Sequence, residues 1–305
     1  MGRFGGSLIS IKDLDRDSLE EVFAATDRMM AMPAAERREV CRGRVLGYLF
    51  YEPSTRTRLS FEAAMASVGG SSLGIADAAS SSAQKGESLA DTVRMLSMYS
   101  DVIVLRHPLD GSSRFASEVS GVPVINGGSG TEEHPTQAIQ DLFTIRREKG
   151  RIDGLKVGII GDLKHGRTVY SLLHGLGNYD VDVRLVSPEP LRIRPDSTYE
   201  IRKKIDYVES DDLADHVSEL DVLYVTRIQR ERFPDEEEYL KVRGSYVVGL
   251  DVLGRMKKDS IVLHPLPRLD EISADVDSSP HARYFEQAGY GMHTRAALLG
   301  LVLGS

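Results

Sequence analysis

The sequence predicts an α/β protein of two domains, each a parallel β-sheet flanked by helices. Short β-branched runs alternate with stretches of helical periodicity, the order expected of parallel strands covered by helices on both faces. A length of 305 residues allows one large or two medium domains, and two is the expectation. Polar and cationic residues follow the predicted strands, and ligands of open α/β sheets bind beyond the carboxyl ends of strands.

The elements follow in order. An acidic start at 13–17 precedes Leu19, Val22, Phe23, Thr26 and Met30, a stripe that predicts a docking helix. The apolar run 45–51 predicts a strand, broken at Pro53. Ser54 and Thr55 carry hydroxyls suited to capping, and Leu59, Ala63 and Val68 continue at roughly helical spacing. Residues 71–88 are rich in Ser, Ala and Gly and contain Lys85-Gly86-Glu87, the texture of a mobile loop or plain flexible connection ending at a helix start. Further strands are predicted at 102–105, 122–125, 157–160, 181–186, 222–225 and 261–263. The densely charged segment 229–244, with Phe233-Pro234 before an acidic run, is a solvated loop by default and a closing lid by its place beside Arg227. The apolar segment 296–303 is far shorter than the roughly 20 residues of a membrane span and predicts a terminal helix packed into the core. The two halves share an architecture without a convincing repeat.

A formal net charge of -8 argues against a general nucleic-acid or membrane-surface binder, which usually carries a basic face. It leaves small anionic substrates open. Cys41, the single cysteine, permits no intrachain disulfide and no cysteine-based zinc site, which fits a reducing cytosol. The first ten residues show no secretory signal. Val157-Gly158-Ile159-Ile160-Gly161-Asp162 superficially suggests a dinucleotide turn, but G-x-G-x-x-G is missing, and Lys164 and Arg167 stand where close approach to a pyrophosphate needs small residues. No G-x-S-x-G, Walker loop or H-E-x-x-H occurs, so neither a covalent route, a metal nor a cofactor is expected.

Ser54-Thr55-Arg56-Thr57-Arg58 sits directly behind a strand at a predicted helix N-terminus. Unpaired backbone N–H groups and the helix dipole favour a phosphate there, and two alternating Arg add charge and forked donors. Alone, the run also describes a capped surface helix with two solvated Arg. Arg106-His107-Pro108, His134-Pro135-Thr136-Gln137, Lys164-His165-Gly166-Arg167, Arg227-Ile228-Gln229 and Pro265-Leu266-Pro267-Arg268 each lie past a predicted strand. Together, in an acidic chain, they point to one cleft for a compact polyanion. Pro135 suits a first helical turn, so a neutral His134 at that terminus is placed to donate a hydrogen bond without acting as an acid.

Read in order at these separations, 54–58, 134–137 and His264-Pro265-Leu266-Pro267-Arg268 resemble the catalytic chains of the aspartate carbamoyltransferase family over nearly the whole length. Lys85-Gly86-Glu87, Arg106-His107-Pro108, the segment 161–167 and Arg295-Ala296-Ala297-Leu298-Leu299 support the match. The resemblance implies carbamoylation of L-aspartate by carbamoyl phosphate in de novo pyrimidine synthesis, with the active site in the interdomain cleft. It implies a carbamoyl-phosphate-binding domain over 1–134 with 285–305 returning as its C-terminal helix, and an aspartate-binding domain over 135–284. It also implies a cytoplasmic homotrimer with active sites shared between subunits, Ser81 and Lys85 reaching the neighbour's cleft. By the same resemblance Ser54, Thr55, Arg56, Thr57, Arg106 and the neighbour's Lys85 hold the phosphate. Thr57, Arg106 and His134 meet the carbonyl oxygen, and Gln137 and backbone carbonyls near Leu266 and Pro267 take the amide. Lys85, Arg167, Arg227, Gln229 and Leu266 fall to the aspartate side, where paired guanidinium groups match a dicarboxylate. Glu52 and Arg232 organise Arg167 and the lid, or are surface charges.

The ornithine branch typically has an H-C-L-P motif and an S-M-G signature. Here the first is His264-Pro265-Leu266-Pro267 and the second is absent. A catalytically silent homologue is a further alternative, opposed by the presence of every anion-site residue. Gln84 stands where many members have a second Lys, and Tyr170 replaces a common His. A regulatory partner, if present, would bring its own zinc.

Overall fold

The computed structural model describes residues 6–77, 82–131, 133–233 and 235–304. Its helices are α1 (Arg16–Ala31), α2 (Ala34–Arg37), α3 (Thr55–Ser67), α4 (Leu89–Ser97), α5 (Ser112–Val119), α6 (Pro135–Lys149), α7 (Arg167–Leu176), α8 (Pro195–Arg202), α9 (Glu236–Val242), α10 (Leu250–Leu253) and α11 (Tyr284–Leu303). The strands are β1 (Val45–Phe50), β2 (Ser71–Ile75), β3 (Val102–His107), β4 (Val124–Ser129), β5 (Lys156–Ile160), β6 (Asp182–Val186), β7 (Tyr207–Ser210), β8 (Val222–Val225) and β9 (Ile261–Leu263). They form two sheets, β2-β1-β3-β4 and β7-β6-β5-β8-β9. Every pairing is parallel, as the alternation of runs predicts. Among the described residues no helix is long and apolar enough to cross a membrane.

The chain divides into two compact units, 1–139 with 290–305, and 140–289. In the first, Leu49, Ile103, Leu105 and Val124 from the sheet pack with Val93 and Leu96 of α4 and Ala116 of α5. In the second, Ile160, Val186, Leu223, Val225 and Val262 pack with Leu220, Val248 and Tyr284.

Strands β2 and β7 have no counterpart among the expected strands. Both are sheet edges. All of β2 but Ile75 is exposed, so the segment Ser71–Ile75 lacks the apolar run that marks a strand. Gly74 is required within it, because a Cβ there would stand 2.0 Å from the Tyr48 carbonyl oxygen of β1. The expected loop 71–88 is therefore a strand, an undescribed stretch and the short helix Ser82–Lys85, and Ser88 then caps α4 by accepting the Asp91 N–H.

Helix faces also differ in register from the expected stripes. In α1 it is Met29, not Met30, that is buried. In α3 the buried face is Thr57, Phe61, Ala64 and Met65, continued by Val68, whereas Leu59 and Ala63 are exposed. Position 57 thus points inward as an ordinary helix-face residue, which is what brings its hydroxyl to the site. The segment 229–244 contains a short turn of helix and then α9, capped by Asp235 accepting the Glu238 N–H.

Candidate active site

In the first unit, β1 delivers the chain to α3. Ser54 holds the N-cap position and its carbonyl accepts the Arg58 N–H at 3.2 Å, but its hydroxyl makes no capping bond, contrary to the expected cap. A ψ of 83° falls short of the extended value at which the side chain reaches back over the first turn. The two alternating Arg also part company. Arg58 turns along its own helix to Glu62 at 3.0 Å, an i,i+4 pair, while Arg56 stays exposed on the first turn beside Thr55. Arg56 is thus the more exposed of the two charges at this terminus.

Three side chains from different elements meet beside it. His134 directly precedes α6 and is almost fully buried; its carbonyl accepts the N–H groups of Gln137 and Ala138, so Pro135 occupies the first turn where no N–H is needed. Its Nε2 lies 3.4 Å from Thr57 Oγ1 and 3.5 Å from Arg106 Nη1. Arg106, near the end of β3, also donates to the Gly127 carbonyl at 3.2 Å and pairs through Nε with Glu52 at 3.5 Å. Glu52 thus orients Arg106 within this unit. A guanidinium fixed by a carboxylate and a carbonyl is preorganised, so it can meet developing negative charge without first reorganising. Gln137, also buried, lies on the first turn of α6. Lys85 ends its short helix with an exposed side chain, and Gln84 beside it is exposed as well. Ser81 lies outside the described residues.

In the second unit Arg167 opens α7 and is half-buried, as are Arg227 and Gln229 after β8. One residue that the sequence reading left without a role ties these loops together. Asp162, wholly buried, accepts the His165 N–H at 3.0 Å, meets the His165 imidazole at 3.1 Å and accepts the Gln229 N–H at 3.3 Å. Gly161 makes the approach possible, since a Cβ there would lie 2.1 Å from the Thr226 carbonyl and its φ is +111°. The signal available in sequence was an acidic residue directly after Gly161 at a strand end. The His165 ring packs against Phe233, which packs on Tyr239 of α9, so the expected lid segment rests on this same loop.

Tyr170 belongs to the frame. Its hydroxyl donates to the Lys164 carbonyl at 2.9 Å and accepts the Arg194 N–H at 3.2 Å, with the Arg194 guanidinium 4.5 Å from the ring centre. Burial raises its pKa, with Arg194 opposing, which keeps it a neutral donor. Leu266 and Pro267 follow β9; Leu266 is half-buried with φ 56°, Pro267 is exposed, and the peptide between them is cis. Arg232 is in the short helical turn after Gln229.

The chain as a whole has counterparts in known proteins. Residues 7–147 match the carbamoyl-P binding domain, and residues 153–302 the Asp/Orn binding domain, of the aspartate/ornithine carbamoyltransferases. The chain is 74% identical over 296 residues to an aspartate carbamoyltransferase catalytic subunit of Nitrosopumilus maritimus, spanning 97% of this chain and 96% of that one. It is 53% identical over 302 residues to that of Thermococcus onnurineus, spanning 98% and 97%. Among solved structures, the catalytic subunit of M. jannaschii aspartate transcarbamoylase superposes with a TM-score of 0.90 at 47% identity, covering 98% of both chains. Aspartate transcarbamoylase from Trypanosoma cruzi, in complex with carbamoyl phosphate and aspartate, superposes with a TM-score of 0.92 at 39% identity, covering 98% and 97%. Two domain matches in tandem, with relatives this similar from end to end, make the chain a member of the aspartate/ornithine carbamoyltransferase family.

Proposed function

We propose that the chain transfers the carbamoyl group of carbamoyl phosphate to L-aspartate, giving N-carbamoyl-L-aspartate and phosphate. The amine nitrogen of aspartate bonds to the carbonyl carbon, the carbon–oxygen bond to phosphate breaks, and the proton shed by nitrogen leaves with the phosphate. The convergence of Thr57 and Arg106 on His134 supports this most directly: a carbonyl oxygen entering among them meets donors from three elements as it gains negative charge. Ser54, Thr55, Arg56 and Thr57 hold the phosphate at the start of α3, and Gln137 with the backbone at Leu266 and Pro267 takes the amide. Arg167, Arg227 and Gln229 take the two carboxylates. Positioning and electrostatics account for the chemistry without a covalent intermediate.

In this reading the first unit binds carbamoyl phosphate and the second aspartate. The active assembly is a homotrimer in the cytoplasm, where Ser81 and Lys85 of one subunit complete the neighbour's site. The exposure of Lys85 supports that role. The product enters de novo pyrimidine synthesis, and a zinc-containing regulatory chain is a partner to be sought. The test is an assay with carbamoyl phosphate and either aspartate or ornithine. Aspartate is expected to be carbamoylated and ornithine to show negligible activity, since paired guanidinium groups repel an ammonium side chain. Equal rates would sink the acceptor assignment.

A further inference from the structure

His264 ends β9 in a place where its imidazole has both nitrogens engaged and 2% of its surface exposed. Nδ1 accepts the Leu266 N–H at 2.8 Å. A nitrogen that accepts carries no proton, so Nε2 holds it and donates to Glu271 Oε1 at 2.7 Å. The other Glu271 oxygen accepts the Leu269 N–H at 3.1 Å. On the opposite side, the His264 N–H donates to Gln287 Oε1 at 2.8 Å, Gln287 Nε2 to Asp141 Oδ1 at 2.6 Å, and Tyr224 Oη to Asp141 Oδ2 at 2.8 Å. All five side chains are buried.

A fully satisfied polar chain through a core is an expensive way to fill space and an effective way to specify one geometry. The geometry in question is local. Leu266 has a φ of 56°, a left-handed conformation that a leucine adopts only where its surroundings dictate it. The bond from its own N–H to Nδ1, a two-residue reach like that of an Asx turn, supplies the constraint.

We propose that His264 is a positioning residue of the carbamoyl-transfer site: its unprotonated Nδ1 holds residues 264–267 in the backbone conformation that meets the amide of the carbamoyl donor. Gln287, Asp141 and Tyr224 anchor it from one side and Glu271 sets the tautomer from the other. The inference rests on the assignment of the Leu266 backbone to carbamoyl phosphate above.

Two amides separate the nitrogens. In His264→Asn the carboxamide oxygen replaces Nδ1 as acceptor of the Leu266 N–H, while the Glu271 bond is lost. His264→Gln reaches Glu271 and lacks the near acceptor. His264→Leu lacks both but fills the buried volume, so it serves where the Gln variant does not fold. Melting temperature, steady-state kinetics and amide hydrogen exchange over 262–269 are measured on the full chain. The Asn variant is expected to keep most of the wild-type kcat/KM for carbamoyl phosphate and slow exchange at Leu266. The Gln and Leu variants are expected to lose about 10²-fold, the cost of a misplaced contact, and to exchange fast. Asn and Gln each forfeit one imidazole bond, so a purely structural role would lower their melting temperatures and rates alike. Rates that track melting temperature, or an Asn variant as impaired as Gln, would overturn the proposal. Wild-type protein inactive with carbamoyl phosphate and aspartate would instead remove the functional reading, and the exchange pattern would still decide whether Nδ1 holds the loop.

Discussion

At the scale of single residues, two arginines on the first turn of one helix differ in their exposure. Arg56 and Arg58 are two apart on one helix, yet Arg58 is tied to Glu62 while Arg56 stays exposed at the N-terminal turn. Arg56→Ala is therefore expected to lose about 10²-fold or more in turnover with its fold intact, the size of effect seen when one preorganised donor is removed. Near-normal turnover in folded protein would refute the assignment. Arg227 belongs to the other unit. Arg227→Ala is expected to raise the aspartate requirement steeply while calorimetric binding of carbamoyl phosphate changes little, because the start of α3, proposed to hold the phosphate, belongs to the first unit. Equal loss of carbamoyl-phosphate affinity would place Arg227 in the wrong half of the chemistry. Asp162 shows why some residues escaped the sequence reading: a buried carboxylate that accepts two backbone N–H groups 64 residues apart in the chain acts through the loops it joins, and nothing in its neighbours names the distant partner.

At the scale of elements, the two units tie their sheets together by the same device. Asp101 directly precedes β3 and accepts the Val45 N–H at the start of β1 at 2.8 Å; Asp221 directly precedes β8 and accepts the Lys156 N–H at the start of β5, also at 2.8 Å. Each carboxylate also meets a cation, Arg44 in one case and Lys257 in the other. Burial alone would raise the Asp221 pKa, but the Lys156 N–H and the Lys257 ammonium outweigh it and hold the group below the usual aspartate range. A carboxylate with a depressed folded pKa contributes stability above its unfolded pKa and loses it as pH falls through the folded one. Asp221→Asn is thus expected to cost about 1–2 kcal/mol at pH 7, since a charge-assisted bond becomes a neutral one. Denaturant melts of variant and wild type should draw together as pH falls below the usual aspartate range and through the depressed folded pKa. A difference independent of pH would contradict a charge-based role. This device recurs in both units yet escapes self-comparison of the sequence, because among the described residues it rests on a single aspartate before β3 and another before β8.

For the whole molecule, the sharpest expectation concerns subunits. Arg56→Ala and Lys85→Ala assemblies are each expected to be nearly inactive. Dissociating, mixing and reassembling them should restore part of the activity, because a mixed interface pairs an intact Arg56 with an intact neighbouring Lys85. Verified mixed trimers with no recovery would overturn the shared site.

The amino-acid sequence by itself determined the two-sheet α/β class, every interior strand, the terminal helix and the family, because buried parallel strands must be written as contiguous apolar runs and the family's motifs are short local segments. Tertiary structure alone decided the rest. The edge strands β2 and β7 draw their pairing from a neighbour rather than from their own hydrophobicity, so Ser71–Ile75 looked like a loop. The stripe of α3 was displaced because which helix face is buried depends on what packs there. Asp162 and His264 acquire their roles only when hydrogen-bond partners far apart in the chain, or across a tight turn, are brought within 3.3 Å. Local motifs announce what a residue can bind; only the folded chain decides what each buried polar group must hold in place.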